Sequence, residues 1–186
     1  MAMGIIYATT MDPTKTELLT SWLPQQDFFS GTARPQLDTV GGFRLEDPAG
    51  QVGMEFIIAL DRQDGTVYHL PLSYRGEPLE GGQDHLLGTS QHGVLGLRYV
   101  YDAEHDPTWQ QCVRDLFAGL SVPQHQNNSD TDEPRVTVEG GMDTTGSRAI
   151  GIERRPRPGA GTGHYLSAEW VDRDGATQRG AVLRMA

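Results

Sequence analysis

Residues 52–74 read VGMEFIIALDRQDGTVYHLPLSY. Val52, Met54, Phe56, Ile58 and Leu60 alternate with their neighbours, as do Tyr68, Leu70, Leu72 and Tyr74. A period of two sends successive side chains to opposite faces of a strand. Between the runs, Asp61-Arg-Gln-Asp-Gly65 has the composition of a turn, so the segment predicts an antiparallel pair. Pro71 brings no backbone donor and predicts an edge strand or a bulge. Outward from this pair, Asp47-Pro-Ala-Gly50 is a second turn, residues 39–46 a further strand, and Leu95, Leu97, Tyr99 and Tyr101 another. Residues 3–8 add a short strand to the expectation.

On either side the period changes. Two segments open with Asp-Pro, a pairing suited to a helix start, with Asp as N-cap and Pro in the first turn. The first predicts a helix from Asp12 to Leu23, carrying Leu18, Leu19, Trp22 and Leu23 on one stripe and stopped by Pro24. The second runs from Asp106 to about Leu120. Its apolar residues Trp109, Cys112, Val113, Leu116, Phe117 and Leu120 give the chain's clearest helical period. Beyond it, SVPQHQNNSDTDEP at 121–134 is polar and acidic, with too little apolar surface to order itself. From 135 the pattern is β-rich, with short strands at Val136/Val138, Ile150/Ile152, Leu166/Ala168/Trp170 and Ala181/Leu183/Met185, and a hairpin turn at Asp172–Gly175.

The expected fold class is therefore α+β. An antiparallel β-sheet packed by two helices occupies 1–120, a flexible acidic linker 121–134, and a C-terminal antiparallel β meander 135–186, packing on the first module. The chain's 186 residues, 23 glycines and 11 prolines suit one loop-rich domain with an appendage.

Composition narrows the function classes. The net charge of −10 argues against nucleic acid and anionic membranes as partners. The charge is uneven: 16 acidic against 7 basic residues up to 120, but 6 against 8 from 135 onward. A single cysteine, Cys112, allows neither an intrachain disulfide nor a cysteine metal cluster. The start, MAMGIIYATT, has no basic n-region and no long apolar stretch, so the expectation is a cytoplasmic chain without a secretory leader.

Read in order, Leu18-Leu-Thr-Ser-Trp-Leu-Pro-Gln-Gln26, Phe28-Phe-Ser-Gly31, Leu70-Pro-Leu-Ser-Tyr-Arg-Gly-Glu-Pro-Leu79, Leu87-Gly-Thr-Ser-Gln-His-Gly-Val-Leu-Gly96, Tyr99-Val-Tyr-Asp-Ala103 and Asp106-Pro107 make a pattern. It resembles the N-terminal cap of actinobacterial maltokinases, and more closely the stand-alone cap-like proteins of that group, over roughly residues 5–120. The resemblance implies a cystatin-like α+β cap. It also implies an accessory role, with a glucan- or trehalose-pathway protein as partner; apart from the resemblance, a homodimer in which the C-terminal strands cross over between chains is a further expectation. Catalysis in those kinases is attributed to the lobes that follow the cap. No kinase catalytic loop, DFG-like triplet or phosphate-binding glycine loop is legible here, and no (β/α)8 glycosidase barrel fits this length. The expectation is a non-catalytic protein without cofactor or metal.

Several side chains compete with that reading. Tyr74, Arg75, Glu77 and Tyr101 mix aromatic and charged groups as a carbohydrate or small-molecule pocket does; the alternative is a structural Arg75 tied to a carboxylate such as Glu80 or Asp102. His92, Asp102, His105 and Asp106 have ligand chemistry for a divalent metal, but Asp106 is claimed as a helix cap. Cys112 lies on the apolar stripe, which makes it a packed thiol rather than a nucleophile. Gly159-Ala-Gly-Thr-Gly163 lacks the lysine and helix of a phosphate loop. Arg154, Arg155 and Arg157 suit an acidic partner or the chain's own acidic body. Trp109→Ala is expected to cost about 3–5 kcal/mol in chemical denaturation, as large aromatic truncations in a core do. A loss below about 1 kcal/mol would place the helix stripe on the surface.

Overall fold

The computed structural model describes residues 10–128, 131–140 and 149–185; the strand expected at 3–8 lies outside them. Capping sets the helix ends. Helix α1 spans Lys15–Trp22. Its N-cap is Thr14, whose hydroxyl accepts from the Glu17 backbone at 3.2 Å while the Glu17 carboxylate accepts from Thr14 N at 2.8 Å. The expectation of an Asp12 cap is thereby corrected: this reciprocal box starts the helix two residues later. Asp12 instead lies in the short strand β1 (Met11–Asp12). Helix α2 spans Pro107–Phe117, with Asp106 as N-cap as expected. Gly119 takes a left-handed φ of 73° just beyond it, so the helix stops there and Leu120 is exposed rather than part of the buried stripe.

The remaining strands are β2 (Leu37–Leu45), β3 (Val52–Asp61), β4 (Val67–Arg75), β5 (Leu86–His92), β6 (Gly96–Asp102), β7 (Thr137–Glu139), β8 (Ile150–Ile152), β9 (His164–Val171) and β10 (Thr177–Met185). They form two antiparallel sheets, in the orders β1-β5-β6-β4-β3-β2 and β7-β9-β10-β8. With the two short helices this is an α+β fold. Neither sheet is a plain meander. In the first, β6 and not β5 lies beside β4; in the second, β8 pairs with β10 and not with its chain neighbours. Pro71 sits in a central strand rather than at an edge. It lies opposite Phe56 of β3, one residue before the β6 pairing begins at Leu72↔Asp102, so no ladder bond is lost.

Alternation along β3 and β4 builds two cores. Met54, Phe56 and Ile58 face α2 and the second sheet, joining Trp109, Val113, Leu116, Leu166, Trp170 and Leu183. Ile57 and Ala59 face the other way with Tyr68, Leu70 and Leu72, against Leu19, Trp22 and Leu23 of the α1 side. Phe56 stacks on Phe43 with ring centroids 4.2 Å apart and on Trp109 at 5.7 Å. Gly41 allows β9 to cross close by, since a Cβ there would stand 2.6 Å from the Glu169 carbonyl oxygen.

The acidic stretch 121–134, expected to be flexible, is hydrogen-bonded at its described residues. Gln124 and Arg44 exchange backbone bonds of 2.9 Å along the free side of β2. The Gln126 amide donates to Glu55 Oε1 at 2.6 Å, and Glu133 receives a guanidinium fork from Arg135. Backbone pairing and charged hydrogen bonds hold these described residues where hydrophobic content could not.

His69, fully buried, ties the sheets together. Its Nδ1–H donates to the Val182 carbonyl at 3.1 Å, and its backbone N–H donates to the Arg154 carbonyl at 3.0 Å. Burial, with the nearby Arg154 charge, lowers its pKa to about 3. The fold thus binds the neutral ring, and the unfolded chain takes up the proton first as pH falls. This contribution is complete above the ordinary histidine range and drains away between about pH 6.5 and 3. In urea titrations, the stability advantage of the wild type over His69→Phe is expected to shrink by about 1 kcal/mol between pH 6 and pH 5. A constant difference would mean that His69 titrates normally.

Candidate functional site

The four side chains expected to make a ligand pocket do not share one face. Tyr74 and Arg75 are consecutive on β4, so they diverge. Tyr74 points to the α1 side, where its hydroxyl donates to Glu55 Oε2 at 2.9 Å; the buried Glu55 carboxylate also takes Lys15 Nζ at 2.6 Å. Burial, then the Glu55 charge, pushes the Tyr74 hydroxyl well above its ordinary pKa. Arg75 points the other way and forks onto Asp106, Nε to Oδ2 at 2.7 Å and Nη2 to Oδ1 at 2.6 Å. The structural alternative for Arg75 thus holds, with Asp106 as the carboxylate. Burial pushes the Asp106 carboxyl up, but the Arg75 fork and the Thr108 backbone N–H help hold it below the usual range. The Tyr101 hydroxyl accepts from Leu79 N at 2.9 Å and pins the loop after β4. Glu77 is exposed on that loop.

The residues with metal-ligand chemistry are likewise distributed. His92 Nδ1 accepts from Val94 N and Leu95 N and closes the β5–β6 turn. Asp106 caps α2, while Asp102 and His105 lie at the opposite end of β6 from His92. Among the described residues no three His, Cys, Asp or Glu side chains gather as a metal set. Cys112 is buried in the core, its Sγ 3.7 Å from the Glu46 carbonyl, and burial raises its pKa to about 11. That environment suits a packed thiol rather than a thiolate.

What the fold does assemble is a cleft of about 420 Å³, lined by Gln25, Gln26, Phe28, Glu104 and His105 among others. The loop after α1 brings the glutamines and Phe28, and the turn after β6 brings Glu104 and His105. The His85 and His105 rings stack with centroids 3.6 Å apart. Arg154, from the segment leaving β8, closes one wall. Its Nη2 donates to Asp102 Oδ1 and Oδ2 at 2.9 and 2.7 Å and to Glu104 Oε2 at 2.9 Å. The guanidinium carbon stands 4.9 Å from the Phe28 ring centroid. Burial raises the Asp102 pKa against the opposing pull of Arg154. Of the basic cluster at 154–157, then, Arg154 docks on the chain's own acidic body, while Arg155 and Arg157 remain exposed. The His85–His105 contact had no sequence signal, because their partnership depends on two turns meeting.

Residues 22–106 match the maltokinase N-terminal cap domain family. No curated protein matches the chain. The matched span supplies every lining residue of the cleft except Ile152 and Arg154.

The Arg75–Asp106 geometry predicts stability effects. Arg75→Ala leaves a fully buried carboxylate without its fork and is expected to cost about 3 kcal/mol in denaturation. Arg75→Lys is expected to recover only part of that, since an ammonium cannot form the fork. An Arg75→Ala protein as stable as the wild type would free Arg75 for a ligand-binding role.

Proposed function

We propose that this chain, which carries a maltokinase N-terminal cap-like domain over residues 22–106, is a non-catalytic accessory protein that engages a partner in glucan or trehalose metabolism. The observation that carries this reading is the turn between β5 and β6. Val94 and Leu95 in that turn and Leu97 at the start of β6 are 59%, 43% and 45% exposed, and all three lie inside the matched span. Large apolar side chains grouped on one exposed turn offer a docking surface. Tyr74, Arg75 and Tyr101 are engaged within the chain, which further supports a non-catalytic role for that region. The proposal includes a cystatin-like cap over 1–120 and a β-rich module over 135–186, joined by 121–134, in a cytoplasmic protein. Among the described residues no helix is long and apolar enough to cross a membrane.

A second reading, a small-molecule or carbohydrate binder or an enzyme, draws on the cleft beside Arg154, where carboxylates, imidazoles and amides converge. A homodimer through the same apolar turn is the third.

The discriminating experiment mixes the purified chain with a maltokinase and with trehalose-forming enzymes from the same organism, and follows association by light scattering. A complex is expected with one of them, and Leu95→Asp/Leu97→Asp is expected to weaken it at least about tenfold. Self-association lost in the same variant would select the homodimer. ATP-dependent sugar phosphorylation or glycosidic cleavage by the purified chain alone would overturn the proposal.

A further inference from the structure

We infer that the recess between Asp102, Glu104 and Phe28 is a guanidinium-binding site, filled here by the chain's own Arg154 and suited to an arginine side chain presented by a partner. The recess is built for a planar cation. Two carboxylates converge on one guanidinium nitrogen, and an aromatic ring lies 4.9 Å from its carbon. All three recess residues belong to the span matched to the cap family, whereas the occupant comes from outside it. Arg154 is also an imperfect tenant. Its Nη1 is buried without a hydrogen-bond partner among the described residues, a state that costs the folded chain free energy.

The adjoining cleft extends the recognition. Gln25 and Gln26 donate their amide N–H groups to the Ser21 and Trp22 carbonyls. Among the described residues their side-chain oxygens accept no hydrogen bond, which leaves them for an incoming donor. Asp27 adds negative charge to the lining, and the stacked His85 and His105 rings line it as well. An arginine tethered in cis acts at an effective concentration in the millimolar range, so a free cation competes poorly while Arg154 is present. Vacating the recess therefore exposes the site.

The partner clause rests on the accessory-protein reading, but the site itself is tested without any partner. Arg154→Gln is expected to lower the melting temperature by about 4 °C or more. Agmatine or acetyl-Gly-Arg-Gly-amide at about 10 mM is expected to restore roughly half of that loss. Putrescine, a diamine without a guanidinium, and sodium chloride of equal ionic strength are expected to restore little. Adding Asp102→Asn and Glu104→Gln to Arg154→Gln should abolish the rescue. Greater rescue by the peptide assigns the site to a partner segment, and greater rescue by agmatine assigns it to a free guanidinium compound. Should Arg154→Gln fail to fold alone, its refolding yield in the presence of each compound carries the same comparison. No rescue, rescue equalled by putrescine, or rescue persisting in the triple variant would overturn the inference.

Discussion

Strand β3 carries buried side chains on both faces, and most of the architecture answers to that constraint. Phe56 and Ile58 on one side and Ile57 and Ala59 on the other are almost wholly removed from water. A sheet with a strand of this kind needs two covers. On one side α1 and the loop after it supply Leu19, Trp22 and Leu23. On the other, α2 alone is eleven residues long, and the second sheet completes the cover with Leu166, Trp170 and Leu183. The C-terminal strands therefore share the core of the first sheet instead of building a separate one.

Buried charge then positions the covers. Asp106 is the N-cap of α2 and also the receptor for Arg75, so one carboxylate fixes the helix start relative to β4. Arg154 does the corresponding work for the C-terminal segment, with its carbonyl on His69 and its guanidinium between Asp102 and Glu104. Removing one member of such a pair leaves an uncompensated charge in low dielectric. The same two contacts therefore fix geometry and limit what the polar residues of this region are free to do. The cleft beside Arg154 is where that restriction relaxes, since its amides and imidazoles line open space rather than core.

Much of the fold was legible from residues 52–74 and 106–117, because both segments carry strong local periods and local caps. Strand β5 was not, since Leu86–His92 mixes glycine and polar residues and is held by its neighbours β6 and β1. The hydrogen bonding at 121–128 and 131–134 escaped for a related reason: its partners are Arg44, Glu55 and Arg135, and low hydrophobicity says nothing about such partners. At the site, alternation along β4 separates Tyr74 from Arg75, whereas Tyr101, opposite Ser73, shares the Arg75 face. Self-docking of the arginine cluster was foreseeable from charge alone, though not which arginine or onto which acids.

By itself the sequence determined what local energetics decide. These are the strand runs of β3, β4 and β9, the amphipathic α2 with its Asp106 cap, and the cap-family pattern across the first half of the chain. Each depends on residues within a few positions of one another, where the backbone period and hydrogen-bonding capacity suffice. Only the tertiary structure decided the strand order, the sharing of one core by two sheets, and the meeting of Phe28, His85, His105 and Arg154. Those contacts join residues up to about 130 positions apart. Which distant groups meet is settled by the cooperative burial of whole faces, a property that no single segment carries.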